Sequence, residues 1–408
     1  VLIVEPGLNH EKRLAGELLH PPSTDNLNEL GLLDCLKKAG GVSLQGFALF
    51  AGNRPDPDSV LRYSEVDGLG SEGFAIEHGS LSECLLSAAV NRPNVTLWKG
   101  ARVSAIDLGH SDHAKVTVSH DGQECELRVP LVVAADGRNS HLRALAGIQH
   151  TQIHLSNMIG YVLEKTRLPY PGFGHVFAGG PAPTLAYGIG NGTTRIMFDV
   201  PVRSNGACNG TSLKSYVENL PMPFRKDVEQ AIETCAPLRT TNCRVIPETA
   251  VKGRLVCVGD AGGCCHPVSA SGLSACTRDA LRLKQMLNDA AGDIPEGLRR
   301  YALLREGAER TRIAGAGLLY QVLKADTPET RLMRKGLLRY WKHSPSGRAA
   351  TMGLLSTHET RLSVMLREYI HVCGYSLPEL GSCDSPSLTL ARLSRSLFRF
   401  VSQNIRWF

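Results

Sequence analysis

The 408-residue chain has no CxxC pair, no apolar run of about 18 residues or more, and no large excess of charge, and each absence removes a class of function. Its 12 cysteines are scattered, and the adjacent Cys264 and Cys265 suit neither a zinc site nor a simple disulfide. A reduced protein without a bound metal is therefore expected, in the cytoplasm or at the cytoplasmic face of a membrane. Without a long apolar run, no spanning helix is expected. The net charge of +6 is modest, and its basic residues gather in the C-terminal third, as in "RLMRKGLLRYWKHSPSGR". With no basic groove interleaved with aromatics, lipid headgroups are the expected anionic partner and nucleic acid is set aside.

What is present is an ordinary globular composition, 42% hydrophobic with 41 glycines, long enough for two or three domains. "VLIVEPG" reads as a buried parallel strand ending in Glu5, an acid placed to accept from ribose hydroxyls or simply solvated at a strand end. "STDNLNELGLLDCLKKAG" predicts one helix capped by Ser23 or Asp25, carrying Leu27, Leu30, Leu33 and Leu36. "AKVTVSHDGQECELRV" predicts a hairpin closed at Asp121-Gly122. "GLGSEG" (68–73) matches a dinucleotide loop in letters only, since no buried strand precedes it and a strand follows; it and "GIGNG" at Gly188 read as turns. Short alternating runs from 149 to 243 predict an antiparallel sheet, and the chain beyond Pro267 reads as mostly helical.

The stretch "RLVCVGDAGGCCHPVSASGLSACTRDAL" (254–281) has the order a large anionic ligand needs. A buried strand delivers Asp260 at its C-terminal end, Gly259, Ala261 and their neighbours leave room for close approach, and Pro267 leads to a helix starting near Gly272 whose free N–H groups favour negative charge. A sugar or ribityl chain attached to a ring that gains negative charge fits all three. The alternative is a strand-turn-helix corner with an Asp cap. A second turn, "AADGRNSHLRALAG", places Asp136, Gly137, Ser140 and Arg143 after another buried strand; its alternative is a cap by Asp136 or Ser140 with Arg143 on the helix surface.

These two turns carry a resemblance. "VVAADGRNSHLRALAG" resembles the DG motif of FAD-dependent flavoprotein monooxygenases, and "LVCVGDAGGCCHPVSASGLSACTRDA" their GD motif with its downstream Asp279. "GELLHPPSTDNLNELGLLDCL" and "GFAIEHGSLSECLLSAA" are closest to squalene epoxidase and its bacterial relatives, with Arg13 in the place of the flavin-contacting Arg. The resemblance implies an α/β fold: a Rossmann-like FAD-binding domain with an inserted antiparallel sheet, as in p-hydroxybenzoate hydroxylase, and a helical C-terminal region. The expected parts are 1–148 and 244–300 for FAD, 149–243 for substrate, and 301–408 as helices. It implies reduction of FAD by NADPH, O2 addition at the flavin C4a position, and oxygen transfer to a lipophilic terpenoid or polyene alkene. Glu5, Arg13, Asp136, Gly137, Gly259, Asp260, Ala261, Pro267 and Gly272 are the expected cofactor contacts; His20, Phe47 and His266 are candidates for the substrate or flavin edge.

The departures are specific. The family's first strand and glycine-rich loop are absent ahead of Val1, and a segment carrying them is expected upstream. His20 replaces a Gln, Phe47 a Tyr and Ser80 an Arg, while Ala270 and Ser271 replace two of three glycines, which makes squalene itself a doubtful substrate. Residues 387–408 predict an amphipathic helix with Leu390, Leu393, Leu397, Val401 and Phe408 opposite Arg392, Arg395, Arg399 and Arg406, suited to lie at a membrane interface with Trp407 or to pack on its own domain. Competing readings are an aromatic hydroxylase or a flavin-dependent halogenase on the same scaffold, and a flavin-less binding protein.

Overall fold

Strict alternation builds the largest element. In the computed structural model, which describes residues 1–7, 14–202, 213–382 and 385–405, seven strands pair in the order Leu238–Pro247, His150–Glu164, Thr193–Pro201, Thr184–Gly190, Gly174–Phe177, Gly46–Phe50, Ser59–Arg62. All neighbours are antiparallel except Gly174–Phe177 against Gly46–Phe50. The expected antiparallel sheet is thus extended by two strands from earlier in the chain. The period of two sends Ala48, Phe50, Ile196 and Phe198 to one face, covered by Phe224 and Val228 of the helix Phe224–Thr234. Leu49 and Val176 face the other way, against Tyr320, Leu332, Trp341, Met352 and Tyr369 of the C-terminal helices.

Two parallel pairs form the rest of the α/β part: Leu2–Glu5 with Thr96–Lys99, and Val132–Ala134 with Leu255–Cys257. Both touch a three-stranded meander, Arg102–Asp107, Ala114–His120 and Gln123–Val129, through Val4 and Val132 packed on Val116 and Val118. Its hairpin turns at Asp121 and Gly122, with φ of 50° and 77°, as the sequence predicts. "GIGNG" is likewise a turn, at Asn191 and Gly192, and "GLGSEG" runs into the strand Gly73–Ala75 rather than a helix.

Three local expectations need correction. The strand Leu2–Glu5 is half-buried throughout, not buried, and Val133 in the strand before the DG turn is 44% exposed. The leucine-bearing stretch is two helices, Pro21–Glu29 and Leu33–Lys38, because Gly31 between them takes φ +71°; Leu30 is left exposed while Leu27, Leu33 and Leu36 are buried. Its N-cap is His20, not Ser23 or Asp25, and proline at the first helical position supplies the fixed φ.

The C-terminal third is a helical stack. A site helix, Gly272–Asp289, packs on a long helix, Ile294–Lys324, whose N-cap Asp293 accepts from the Glu296 N–H at 3.1 Å. Pro328–His343, Pro345–Leu355 and Leu362–Ser376 follow. In the terminal helix Pro386–Ile405, Thr389 and Leu393 are buried, whereas Leu388 and Leu390 are exposed. Leu393 therefore belongs to the protein core and does not share an outward face with Leu390. Arg406, Trp407 and Phe408 lie outside the described residues, and among those described no helix is long and apolar enough to cross a membrane.

Candidate active site

The two motif turns converge because their strands are hydrogen-bonded neighbours. Val132–Ala134 and Leu255–Cys257 run parallel and carry the DG and GD turns to the same edge. Arg143 ties them: it is 2% exposed, not on the surface, and its guanidinium donates to the Ala261 carbonyl at 2.7 Å and the Arg138 carbonyl at 2.8 Å. Both proposed caps act, since Ser140 Oγ accepts from the Arg143 N–H and Asp136 Oδ2 from the Leu142 N–H, each at 3.0 Å.

In the GD turn, Gly259 takes φ +56°, and a Cβ there would stand 3.2 Å from Cys276 Sγ. Its N–H donates to Asp279 Oδ2 at 3.0 Å, which also accepts from Arg305 Nε at 2.9 Å, so Asp279 shapes the turn from behind. Asp260 is different. Its carboxylate has no hydrogen bond or ion pair among the described residues, and burial pushes its pKa up against the opposing Arg312 charge. A half-buried carboxylate that meets no donor of the protein is what a polyhydroxyl chain would satisfy, so the residues present fit FAD. Gly137, at φ +79°, and Gly272 both leave their Cβ directions open.

Not every expected contact is gathered here. Glu5 ends the other parallel pair, where its Oε1 accepts from the Gly7 N–H at 3.0 Å. Pro267 opens a short 3-10 turn and is exposed. Arg13 lies outside the described residues.

His20 holds the loop that follows the GD turn. Its Nε2 lies 2.9 Å from the Ser269 carbonyl, which can only accept, so Nε2 carries the proton and Nδ1 accepts from Tyr63 Oη at 2.9 Å. Phe47 packs beside both rings, at 5.8 Å and 6.3 Å between centroids. Burial lowers the His20 pKa to about 4, opposed by the Ser269 bond, and burial lowers that of His175 to about 4 as well. Both rings fold neutral, so between pH 6.5 and 4 the unfolded chain binds more protons and stability falls with acidification. The loss is expected to reach roughly 3 kcal/mol for each ring by pH 4. Urea midpoints measured from pH 7 down to pH 4.5 check this; a flat profile, or one whose slope is unchanged in His20→Gln, would contradict it.

The residue after Ser269 is strained: Ala270 sits in the left-handed region at φ 51°. Ala270→Gly is expected to stabilise the protein by about 0.5–1 kcal/mol, because the relief of strain exceeds the entropy a glycine adds to the unfolded chain. A lower denaturation midpoint in that variant would refute the strain.

Sequence reasoning missed the hub beneath this loop. Asp199 Oδ2 accepts from Ser156 Oγ at 2.6 Å, His266 Nε2 at 2.9 Å and Asn242 Nδ2 at 3.1 Å, and its Oδ1 accepts from Tyr320 Oη at 2.9 Å. His266 is engaged on both nitrogens, since its Nδ1 accepts from the Val268 N–H at 3.2 Å, and its ring stacks on Tyr320 at 3.7 Å. All its polar contacts therefore lie within the protein, where it joins loop, sheet and long helix. The available signal was Asp199 itself, a charge at a core position of the alternating run "RIMFDVP".

A cavity partly open to solvent, about 770 Å³ when the solvent in its mouth is counted, starts at Ser269 and Ser271 and runs between the long helix and the helices after it. Leu319, Val322, Met333, Trp341, Leu355 and Met365 give it apolar walls. Its polar wall groups are already paired inside the protein. Ser269 and Ser271 bond each other, Thr311 donates to the Thr360 carbonyl, Thr351 accepts from Trp341 Nε1, and Glu368 accepts from Tyr340 Oη. Arg312 donates to Glu309 and to the Gly263 carbonyl.

A squalene epoxidase family model matches residues 128–389. Squalene epoxidase 3 of Arabidopsis thaliana is 27% identical over 395 residues, covering 93% of this chain and 74% of that protein. The squalene epoxidase of Schizosaccharomyces pombe is 25% identical over 422 residues, covering 99% and 91%. Among solved structures, p-nitrophenol 4-monooxygenase from Pseudomonas putida superposes with a TM-score of 0.73 at 17% identity, covering 88% of this chain and 92% of that one. A Klebsiella pneumoniae protein, HpxO, solved with FAD and uric acid, gives 0.70 at 17% identity, covering 86% and 96%. The solved structures share the fold, an FAD-dependent hydroxylase-type architecture.

Proposed function

Because the chain belongs to the squalene epoxidase family and is an epoxidase-like, FAD-dependent monooxygenase, we propose that it uses NADPH and O2 to epoxidise a lipophilic alkene, a terpenoid or polyene, in the cavity beside Ser269. The observation that carries the substrate class is the paired state of the cavity's polar wall. Each polar wall group already has a partner within the protein, so a hydrocarbon against it breaks none of these bonds, and each buried methylene contributes about 0.8 kcal/mol.

Oxygen activation is the chemistry that reduced FAD supplies when bound. The chain's residues do the rest. Asp260 would accept from the ribityl hydroxyls, Gly137 would leave room for the cofactor's chain, and Glu5, at the end of the other parallel pair, would accept from the ribose. The first N–H groups of the site helix, from Gly272, would favour the ring edge that gains negative charge. His20 and the Asp199 hub hold the Ser269 peptide in place, and the apolar walls keep water from the reacting atoms. Outward-facing Leu388 and Leu390, with exposed Arg392 and Arg395 on the same helix, support a peripheral contact with an anionic bilayer from which such a substrate would be drawn.

The test is product analysis with NADPH and ¹⁸O₂ on terpenoid alkenes and on phenols. Labelled epoxide from alkenes is expected; label appearing only in hydroxylated phenols would overturn the reading in favour of an aromatic hydroxylase. Asp260→Ala should weaken FAD binding by about 10–100-fold, the worth of one to two charge-assisted hydrogen bonds. Flavin fluorescence titration measures it, and an unchanged affinity would remove Asp260 from the cofactor site.

A further inference from the structure

Two thiols of this chain meet away from the site already described. Cys35 lies on the short helix Leu33–Lys38 and Cys84 on the helix His78–Val90, and the two helices pack against each other. Cys84 Sγ stands 3.6 Å from the Cys35 carbonyl, to which it donates, and the two side chains also hydrogen-bond to each other. Both residues are half-buried, so a small solute reaches them, while Cys84 packs on the buried cluster of Leu33, Leu36 and Leu81. Another close pair, Cys243 and Cys264, is buried at both members, with Cys264 Sγ donating to the Cys243 carbonyl at 3.4 Å, and offers no such access.

A disulfide requires the sulfurs to close from contact to about 2.05 Å. Cys35 sits on a helix of 6 residues flanked by Gly31 and Gly40, at φ +71° and +91°, so a slight roll of that helix need not disturb the longer elements around it. The two thiols are not equivalent. Burial, the hydrogen bond with Cys35 and the Cys35 charge push the Cys84 thiol up to about 11, so Cys84 stays protonated as the resolving thiol and Cys35 is the first nucleophile.

We propose that Cys35 and Cys84 are a reversible oxidation site, closed to a disulfide by hydrogen peroxide and reopened by a dithiol reductant. The Cys35 sulfur attacks one peroxide oxygen, the O–O bond breaks, and a sulfenic acid forms as the first water leaves. The Cys84 sulfur then attacks that sulfur; the S–O bond breaks, and the hydroxide departs with the Cys84 proton as a second water. The two thiols together give up two electrons and two protons, and the peroxide is reduced to water. The bond joins residues 49 apart and encloses the strand Gly73–Ala75, which pairs with Leu18–Leu19 just ahead of His20. It thereby restrains the unfolded chain and staples the layer that carries His20.

Holoprotein is reduced, freed of reductant and exposed under native conditions to a small excess of hydrogen peroxide. Non-reducing peptide mapping is expected to show the Cys35 and Cys84 peptides joined within one chain and two hydrogens lighter. Tm should rise by about 4 °C, a gain that dithiothreitol reverses. Cys35→Ser and Cys84→Ser should each lose both the cross-link and the rise. With dimedone present, Cys84→Ser should be labelled at Cys35, and Cys35→Ser should carry no label at Cys84. The proposal is overturned if Cys35 and Cys84 stay free while exposed Cys125 is oxidised, if either is joined to another cysteine or another chain, if the bond leaves Tm unchanged, or if dimedone marks Cys84 rather than Cys35.

Discussion

Gly315→Phe is expected to lower kcat/KM for the alkene about 100-fold while FAD stays bound with its visible spectrum unchanged. Gly315 lies within the long helix and lines the cavity; a Cβ built there points at Met365 Sδ, 3.4 Å away, across the cavity from the helix. A benzyl group in that direction takes the space of three or four methylenes of substrate. At about 0.8 kcal/mol per methylene the loss is roughly 3 kcal/mol, or two orders of magnitude in rate at low substrate. The fold is not at risk from the backbone, because phenylalanine is a better helix residue than glycine. Steady-state turnover with flavin absorbance as the control decides it. If kcat/KM is unchanged, the alkene does not use this cavity, and the paired polar wall loses its meaning as a substrate surface.

The parts of this protein that were legible in its sequence are those written in local chemistry. The GD turn is spelled by a buried triplet, Leu255–Cys257, then Gly259, Asp260 and a proline; Gly259 at φ +56° and Pro267 at the start of the 3-10 turn answer local backbone requirements, and Asp260 is left free of the protein's own donors. The Asp121-Gly122 hairpin was legible for the same reason. Long-range partners were not. Arg143 reads as a surface residue from its place in a short helix, and only the parallel pairing of two strands more than a hundred residues apart brings the Ala261 carbonyl within its reach. The same holds for Cys35 and Cys84, 49 residues apart, which meet only because their two helices pack together. The break at Gly31 was missed because the leucine spacing on either side fits a helix in each half, and a single glycine at positive φ resets the phase between them. His20 could be singled out through the family resemblance alone; its proton position follows only from the carbonyl it meets 249 residues away.

Asp199→Ala is expected to destabilise the holoprotein by about 3–5 kcal/mol, the usual result of removing one member of a buried charged network and leaving the others unpaired. Four donors converge on its two oxygens: Ser156, His266, Asn242 and Tyr320, of which the first three are 3% exposed or less. They come from two neighbouring strands, the loop after the GD turn, and the long helix, so no local rearrangement can supply a replacement acceptor. The hub also predicts a coupling that simple loss of packing does not. Ser156 and His266 both spend their bonds on Asp199, and in its absence removing either should matter less. A double-mutant cycle of Asp199→Ala with Ser156→Ala is expected to give a coupling of about 1–3 kcal/mol in urea midpoints. The visible spectrum of bound flavin should shift in Asp199→Ala, since the Ser269 peptide hangs from the same loop as His266. Additive losses with an unshifted spectrum would mean that Asp199 contributes only packing, and that the loop is positioned from the His20 side alone.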